Sequence, residues 1–439
     1  MTKQGERIAR RRWLIGVFIG VGILVNYVDR VTISVAAPQL REAFALSPAQ
    51  LGVLFSAFSW TYALLQIPAG LVLDRYGVTR VGRWGALLWA VSSLVTALAS
   101  GFGGLLAARL LLGVAEPPGL AVCSKATGYW FPRAERALAT ALFDAAAKFA
   151  NVIGVPFIAL IVVTFGWRWG FAASAALSVA YFVGFCVIYR DPSHDTKLQA
   201  AELAWIREGG ATPEGAATAG AAGMFGYLVT HRKVWGLTIG YAAYDYAFYL
   251  FLTWLPSYLV DVMHMSMLRS AGLAMIPWAW ATFTDLAIGG WLIDTLIARG
   301  RDESRVRKAV LIAGLLSALG ILGVIGTHDA RWAIAWISVS LGGLAIAGAV
   351  TWSIPSLIAP KGAVGAVSGI MNCVGNVLGA IAPMLTGFIV SATHSFENAF
   401  WVAGAIIFAG ILAIVFMLGK IEPIAGPQIV RARERDAMS

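Results

Sequence analysis

A chain of 439 residues, 59% hydrophobic and only 13% charged, is not an array of soluble domains, in which charged residues run at roughly 25%. Its formal net charge of +10 lies in short segments between apolar runs, where topology signals sit, with no basic stripe and interleaved aromatics of the kind nucleic acid requires. Cys123, Cys186 and Cys373 all fall inside apolar segments, which excludes a loop disulfide framework or a metal-ligand spacing.

The N-terminus, Met1 to Arg12, is basic and feeds an apolar run with no small-residue cleavage site behind it, so the first helix is read as retained. Runs of about 20 apolar residues suffice to cross a bilayer. They predict spans at 13–36, 50–73, 82–100, 103–124, 137–163 and 169–189, then at 234–260, 268–293, 308–327, 332–357, 363–390 and 398–419. Between the two sets, Arg190 to Lys233 is polar and contains the Ala/Gly/Thr-rich patch Gly209 to Gly223. Such a composition buries little apolar surface and reads as a linker, with a short amphipathic helix at Ala200–Glu208. The expected class is an all-α membrane protein of twelve transmembrane helices. Residues 1–190 form one six-helix bundle, 191–233 a cytoplasmic linker, 234–420 a second bundle and 421–439 a cytoplasmic tail.

Charge placement supports this count. With both termini inside, the cytoplasmic segments hold Lys3, Arg7, Arg10–Arg12, Arg75, Arg80, Arg83, Lys125, Arg133, Arg136, the linker, the Arg299–Lys308 loop, Lys361 and the tail. The opposite loops hold only Arg41, Arg168, Arg269 and Arg331, the asymmetry expected of an even number of spans, N-in and C-in. There is also an internal echo: Gly70-x-x-x-Asp74 closes the second span and Gly290-x-x-x-Asp294 the eighth, each followed by a basic loop. Repetition at matching positions of two six-helix halves points to a duplicated transporter.

The stretch from Gly70 and Asp74-Arg75 through Gly77 to Arg80 resembles the signature loop of the major facilitator superfamily. More finely, the chain is similar to the anion:cation symporter family, which includes bacterial sugar-acid/proton symporters, sialin and vesicular glutamate transporters. The matching stretches are Asn26-Tyr27-Val28-Asp29-Arg30, Ser59-Trp60-Thr61-Tyr62, Gln66-Ile67-Pro68, Arg109 to Glu116, Gly166-Trp167-Arg168-Trp169, Leu252-Thr253-Trp254-Leu255-Pro256, Ala359-Pro360-Lys361, Gly375-Asn376 and Ala382-Pro383. The resemblance implies that Asp29 and Glu116 carry protons, and that Arg30 and Arg109 bind a substrate carboxylate or those acids. It also favours Tyr62 and Asn376 as substrate contacts.

The residues point the same way. An ionisable group at the centre of a span costs roughly 2.5–3.5 kcal/mol and needs a partner or a function. Asp29 and Arg30 lie deep in the first run, and Arg109 and Glu116 share one face of the fourth, seven residues apart. Their expected meeting in one wet pocket is open to two readings, a structural salt-bridge cluster or proton coupling with anion capture. Arginine suits the anion end because its planar fork holds a carboxylate by two parallel bonds. Pro117-Pro118-Gly119 loosens the helix beside Glu116. Tyr27, Tyr62, Ser356, Asn372 and Asn376 are candidate lining groups, whereas Trp352 is expected to be packing. Asparagine within a span also serves simply to bridge helices.

The chain departs from the resembled pattern in helix five, where Asp144 and Lys148 stand four apart. They form either a self-cancelling pair or, through Lys148, a second cationic anchor. Helix seven carries Tyr241, Tyr244, Asp245 and Tyr246, and helix eight Asp285, an aromatic setting that would also suit an aromatic acid. Gly70, Asp74, Arg75, Gly77, Arg80, Gly290 and Asp294 are expected to brace a cytoplasmic gate.

The expected function is proton symport of a small organic anion into a cavity between two rocking bundles. Protons are the coupling ion, no cofactor is required, and the protein acts as a monomer in a membrane, the cytoplasmic one if the source is bacterial. No G-x-x-x-x-G-K-[ST] loop is visible, so ATP does not drive it. The alternative is an anion exchanger built on Arg30, Arg109 and Lys148. A membrane enzyme or receptor lacks support, since the five histidines are scattered and form no triad.

Overall fold

The computed structural model describes residues 10–132, 135–211, 225–360 and 363–424, without the side chains of Ile67, Asp74, Ala137, Leu138, Thr140, Ala141 and Asp144. The expectations for Lys3, Arg7, Arg133, Lys361, most of the Gly209 to Gly223 patch and the end of the tail fall outside these residues.

No strand occurs among the described residues. Helices α1 (Arg11–Phe44), α2 (Pro48–Ala97), α3 (Phe102–Ala115), α4 (Pro118–Trp130), α5 (Arg136–Phe165), α6 (Trp167–Ile188) and α7 (Ala200–Glu208) come first. The short α8 (Phe225–Thr230) follows, then α9 (Arg232–Asp261), α10 (Met267–Thr284), a π-helical stretch Asp285–Leu292, α11 (Ile293–Ala298) and α12 (Glu303–Ala318). The chain closes with α13 (Ala330–Ser353), α14 (Pro355–Ile358), α15 (Val364–Thr393) and α16 (Glu397–Ala413). Nine helical stretches among the described residues are long and apolar enough to cross a membrane, which makes this a multi-pass membrane protein. Neither α2 nor α9 is among the nine. The 50 residues of α2 run through Gly77, whose φ of 78° breaks the helical path where only glycine is unstrained.

Packing divides the chain into two compact units, one of Met1–Phe44 with Trp60–Ala217 and one of Ala45–Ser59 with Thr218–Ser439. Two elements show how the units are composed. The start of α2 packs with the second unit, where Ser56 Oγ donates to the Ala380 carbonyl at 2.6 Å and Phe55 meets Trp254 edge-on. The amphipathic α7 packs with the first.

Within the first unit α1 lies along α5. A Cβ on Gly154 of α5 would come within 2.9 Å of Val28 Cγ2, so a glycine permits the close crossing. At its N-terminal end α1 has no acid in its first turn, and α7 supplies one. Glu202, fully buried, accepts from the backbone N–H groups of Arg11 at 3.1 Å and Arg12 at 3.0 Å, and pairs with Arg12 Nη1 at 3.0 Å. Arg12 also reaches Glu135 through Nε at 2.7 Å, and Arg11 pairs with Asp195 at 3.0 Å. Otherwise orphaned helix-terminal donors are thus met by a carboxylate where the helix dipole favours one.

In the second unit α15 packs along α9, and α13 lies against α10 and α12. Small residues allow it: a Cβ on Gly343 of α13 would lie 2.4 Å from the Gly314 carbonyl of α12. Trp254 Nε1 donates to the Pro383 carbonyl of α15 at 3.0 Å.

Candidate functional site

Successive helical residues point about 100° apart, so Asp29 and Arg30 of α1 face different neighbours. Arg30 turns towards α3 and the part of α2 that follows residue 59. Its Nε donates to Glu116 Oε2 at 2.7 Å, with side-chain exposures of 5% and 0%. Its guanidinium carbon stands 4.8 Å from the centre of the Tyr27 ring and 4.9 Å from that of Tyr62. The two phenol faces thus add cation–π attraction to the ion pair. Thr61 Oγ1 donates to the Leu110 carbonyl at 2.8 Å, which ties α2 to α3 and sets Tyr62 in place. Arg109, buried on α3, acts on Glu116 electrostatically together with Arg30. Glu116 Oε1 is buried without a hydrogen bond of good geometry among the described residues, with the Asn26 amide of α1 close enough to act on the carboxylate.

Glu116 sits where the predicted fourth span divides. Pro117 and Pro118 bring no N–H, so the carbonyls one turn earlier lose their helical donors. The chain restarts as α4, with Gly119 N donating to the Glu116 carbonyl at 2.9 Å. The Ala115 carbonyl is met instead by Trp89 Nε1 at 2.9 Å. The break leaves Glu116 at a joint between two helices, anchored from outside by an indole.

Asp29 takes the other direction and does not share Arg30's setting. Its Oδ1 accepts from Ser93 of α2 at 2.9 Å and from Ser174 of α6. Its Oδ2 accepts from Ser178 of α6 at 2.8 Å. All four side chains are buried. The four charged residues expected in one pocket therefore occupy adjacent but distinct settings, an ion pair between tyrosines and a carboxylate among hydroxyls. Glu116 still acts on Asp29 through its charge.

Lys148 is buried on α5; the side chain of Asp144, four residues earlier, is outside the description. In the second unit Tyr241 meets Trp352 edge-on at 5.6 Å. A Cβ on Gly375 of α15 would fall 2.4 Å from the Tyr241 ring and 3.0 Å from Asp245 Oδ2. The next residue, Asn376, donates through Nδ2 to Asn372 Oδ1 at 3.0 Å. Tyr241, Asp245 and Trp352 thus meet where α9, α13 and α15 pack together. Ser356 stands apart on α14, exposed and donating to the Ser353 carbonyl at 2.8 Å.

Of the expected gate residues, Gly77 provides the break in α2, and a Cβ on Gly70 would meet nothing within 4 Å. Arg75 and Arg80 are exposed, Arg75 with its guanidinium over the Tyr76 ring. Asp74 lies outside the described side chains. Gly290 falls in the π-helical stretch, and Asp294 is exposed in the first turn of α11. Sequence reasoning missed Trp89, Ser93, Ser174 and Ser178. The i,i+4 spacing of Ser174 and Ser178 in an apolar run was the available signal, since it places two hydroxyls on one helix face.

Residues 19–383 match the family model of the Major Facilitator Superfamily. The uncharacterized transporter YybO of Bacillus subtilis (strain 168) is 37% identical over 423 residues, covering 95% of this chain and 97% of that protein. The D-galactonate transporter of Escherichia coli O6:H1 is 29% identical over 422 residues, covering 94% and 97%. Among solved structures, the D-xylose-proton symporter superposes with a TM-score of 0.71 at 17% identity over 93% of this chain and 98% of that one, a likeness of fold alone.

Proposed function

Since the chain belongs to the major facilitator superfamily and is a membrane transporter rather than an enzyme, we propose that it takes up a small organic carboxylate of the sugar-acid type together with protons. The observation that carries this reading is the Arg30–Glu116 pair, buried between Tyr27 and Tyr62. A buried ion pair is a poor stabiliser compared with apolar packing, so its value lies in exchange of partners. When Glu116 takes a proton on Oε1, its hold on Arg30 weakens from charged to neutral. The guanidinium fork then accepts the substrate carboxylate, for which its geometry is matched. Arg109 shares the anionic load, and Asp29 carries a second proton. Relatives at about 30% identity that move D-galactonate and hexuronate support the substrate class.

Twelve spans are proposed by the same reasoning. The 50 residues of α2 would extend about 75 Å at 1.5 Å per residue, far more than the roughly 30 Å hydrocarbon core. Divided at Gly77, α2 supplies two spans, and the largely buried α9 supplies one. With N-in and C-in orientation, the basic loops face the cytoplasm of a bacterial inner membrane.

The test is uptake into proteoliposomes holding a pH dye, with labelled aldonic, uronic and aldaric acids and an aromatic acid for comparison. An inward proton gradient should drive accumulation of a sugar acid and acidify the lumen. Glu116→Gln should abolish accumulation while counterflow persists. Full accumulation by that variant would overturn the proton assignment, and movement of the aromatic acid alone would overturn the substrate class. Lys148, a further cation buried on α5, favours a second reading as an anion exchanger. Counterflow without luminal acidification in the unaltered protein would select it.

A further inference from the structure

Several buried hydroxyls in the helices of this protein donate to the carbonyl one turn back. Thr32 does so to Val28, Thr96 to Ser92, Thr253 to Tyr249 and Thr351 to Ala347. Such back-bonding satisfies a hydroxyl at little cost wherever nothing better is near. Ser93, Ser174 and Ser178 do not follow the habit. They come from two helices and converge on one carboxylate, two on Oδ1 and one on Oδ2.

We propose that Ser93, Ser174 and Ser178 form a hydroxyl cradle that holds Asp29 as a carboxylate and sets the pH at which it takes its proton. The proposal deepens the symport reading and rests on it. An ionised carboxylate only accepts, so three donors suit it; a protonated one must donate from one oxygen. Hydrogen bonds to the charged form favour that form. Oδ2 has the single donor, Ser178, and is the oxygen that protonation disturbs least. A proton added there turns Asp29 Oδ2 into the donor and Ser178 Oγ into the acceptor. The Ser178 hydrogen must then swing to the Ser174 carbonyl, one helical turn back on α6, while Ser93 and Ser174 continue to donate to Oδ1. Loading Asp29 is therefore tied to the reversal of one hydroxyl at the α1–α6 contact.

The charged and titratable neighbours on the surrounding helices are few. Glu116, at the joint of α3 and α4, acts on Asp29 directly. Arg109 of α3 and Arg30 of α1 lie on the Glu116 side. The packed helices also carry Lys148 and Asp144 on α5, Cys123 on α4, and Arg168 and Tyr181 on α6. The α2 stretch that bears Ser93 also bears Trp89, which holds the Ala115 carbonyl next to Glu116. One helix face thus supports both acids.

Asp29 protonation is read by infrared difference spectroscopy of the purified full chain as pH is varied, without substrate. The band belonging to Asp29 is the protonated-carboxyl stretch that Asp29→Asn removes. Losing one hydrogen bond to a charged group, about 1.5–3 kcal/mol, corresponds to an upward shift of about one to two pH units. Ser178→Ala and, on a different helix, Ser93→Ala should each move the midpoint up by about that much. Ser178→Thr, which keeps the hydroxyl, should bring it back towards the unaltered value. A midpoint that stays put or falls in both alanine variants overturns the cradle, as does an Asp29→Asn spectrum that has lost no titrating band. Proton-driven accumulation that survives Asp29→Asn would instead remove Asp29 from the transport reading. The spectroscopic result stands independently of it.

Discussion

Arg30 shows how one side chain can be recruited by several forces at once. Glu116 takes one of its donors at 2.7 Å, and two phenol faces flank it within 5 Å. A lysine would keep the charge but lose both the planar fork and the stacking surface. Arg30→Lys should therefore lower affinity for the transported anion about tenfold or more, measured by a binding titration with the acid that the uptake screen selects. Unchanged affinity would remove Arg30 from the anion site. That Asp29, Arg30, Arg109 and Glu116 need polar company was legible in the sequence, because each sits in an apolar run. Which company was not, since adjacent residues on a helix look in different directions. Asp29 found its donors 64, 145 and 149 positions away.

Elements were legible to different degrees. Loosening beside Glu116 was expected from Pro117-Pro118-Gly119, where the structure goes further and starts a new helix, and the amphipathic helix at Ala200–Glu208 appears with the same bounds. The docking of that helix was hidden, because Glu202 reads as an ordinary solvated acid until it is seen buried on the first amides of α1. The same cluster gives a pH dependence. Hydrogen bonding to Arg12 holds the Glu135 carboxyl below its ordinary range. A lowered folded value favours folding most where the carboxylate is ionised, so this stability is complete above about pH 4.3 and is lost as pH falls through the folded value. Detergent-solubilised protein should thus lose roughly 1 kcal/mol from this pair on acidification. Glu135→Gln should remove that component of the pH profile in chemical-unfolding titrations. An unchanged profile would show that the pair contributes nothing.

Across the whole molecule, apolar run length and the skew of basic residues yield an expected topology. On that reading Arg301, exposed before α12, faces the cytoplasm, while Arg331, at the start of α13, faces the other side. In a background without Cys123, Cys186 and Cys373, Arg301→Cys should react with an impermeant maleimide only in inverted vesicles, and Arg331→Cys only in intact cells. The opposite pattern would invert the topology. Hydropathy and charge are properties summed along the chain, and so the sequence by itself determined that this is a helical, multi-pass transporter of the major facilitator kind with acids and arginines inside its spans. The partnership of Arg30 with Glu116 and of Asp29 with three serines was decided only in three dimensions. It depends on how far each helix is rotated, and that rotation follows from close contacts such as Gly154 on Val28 and Gly22 on Tyr181, which no one-dimensional pattern encodes.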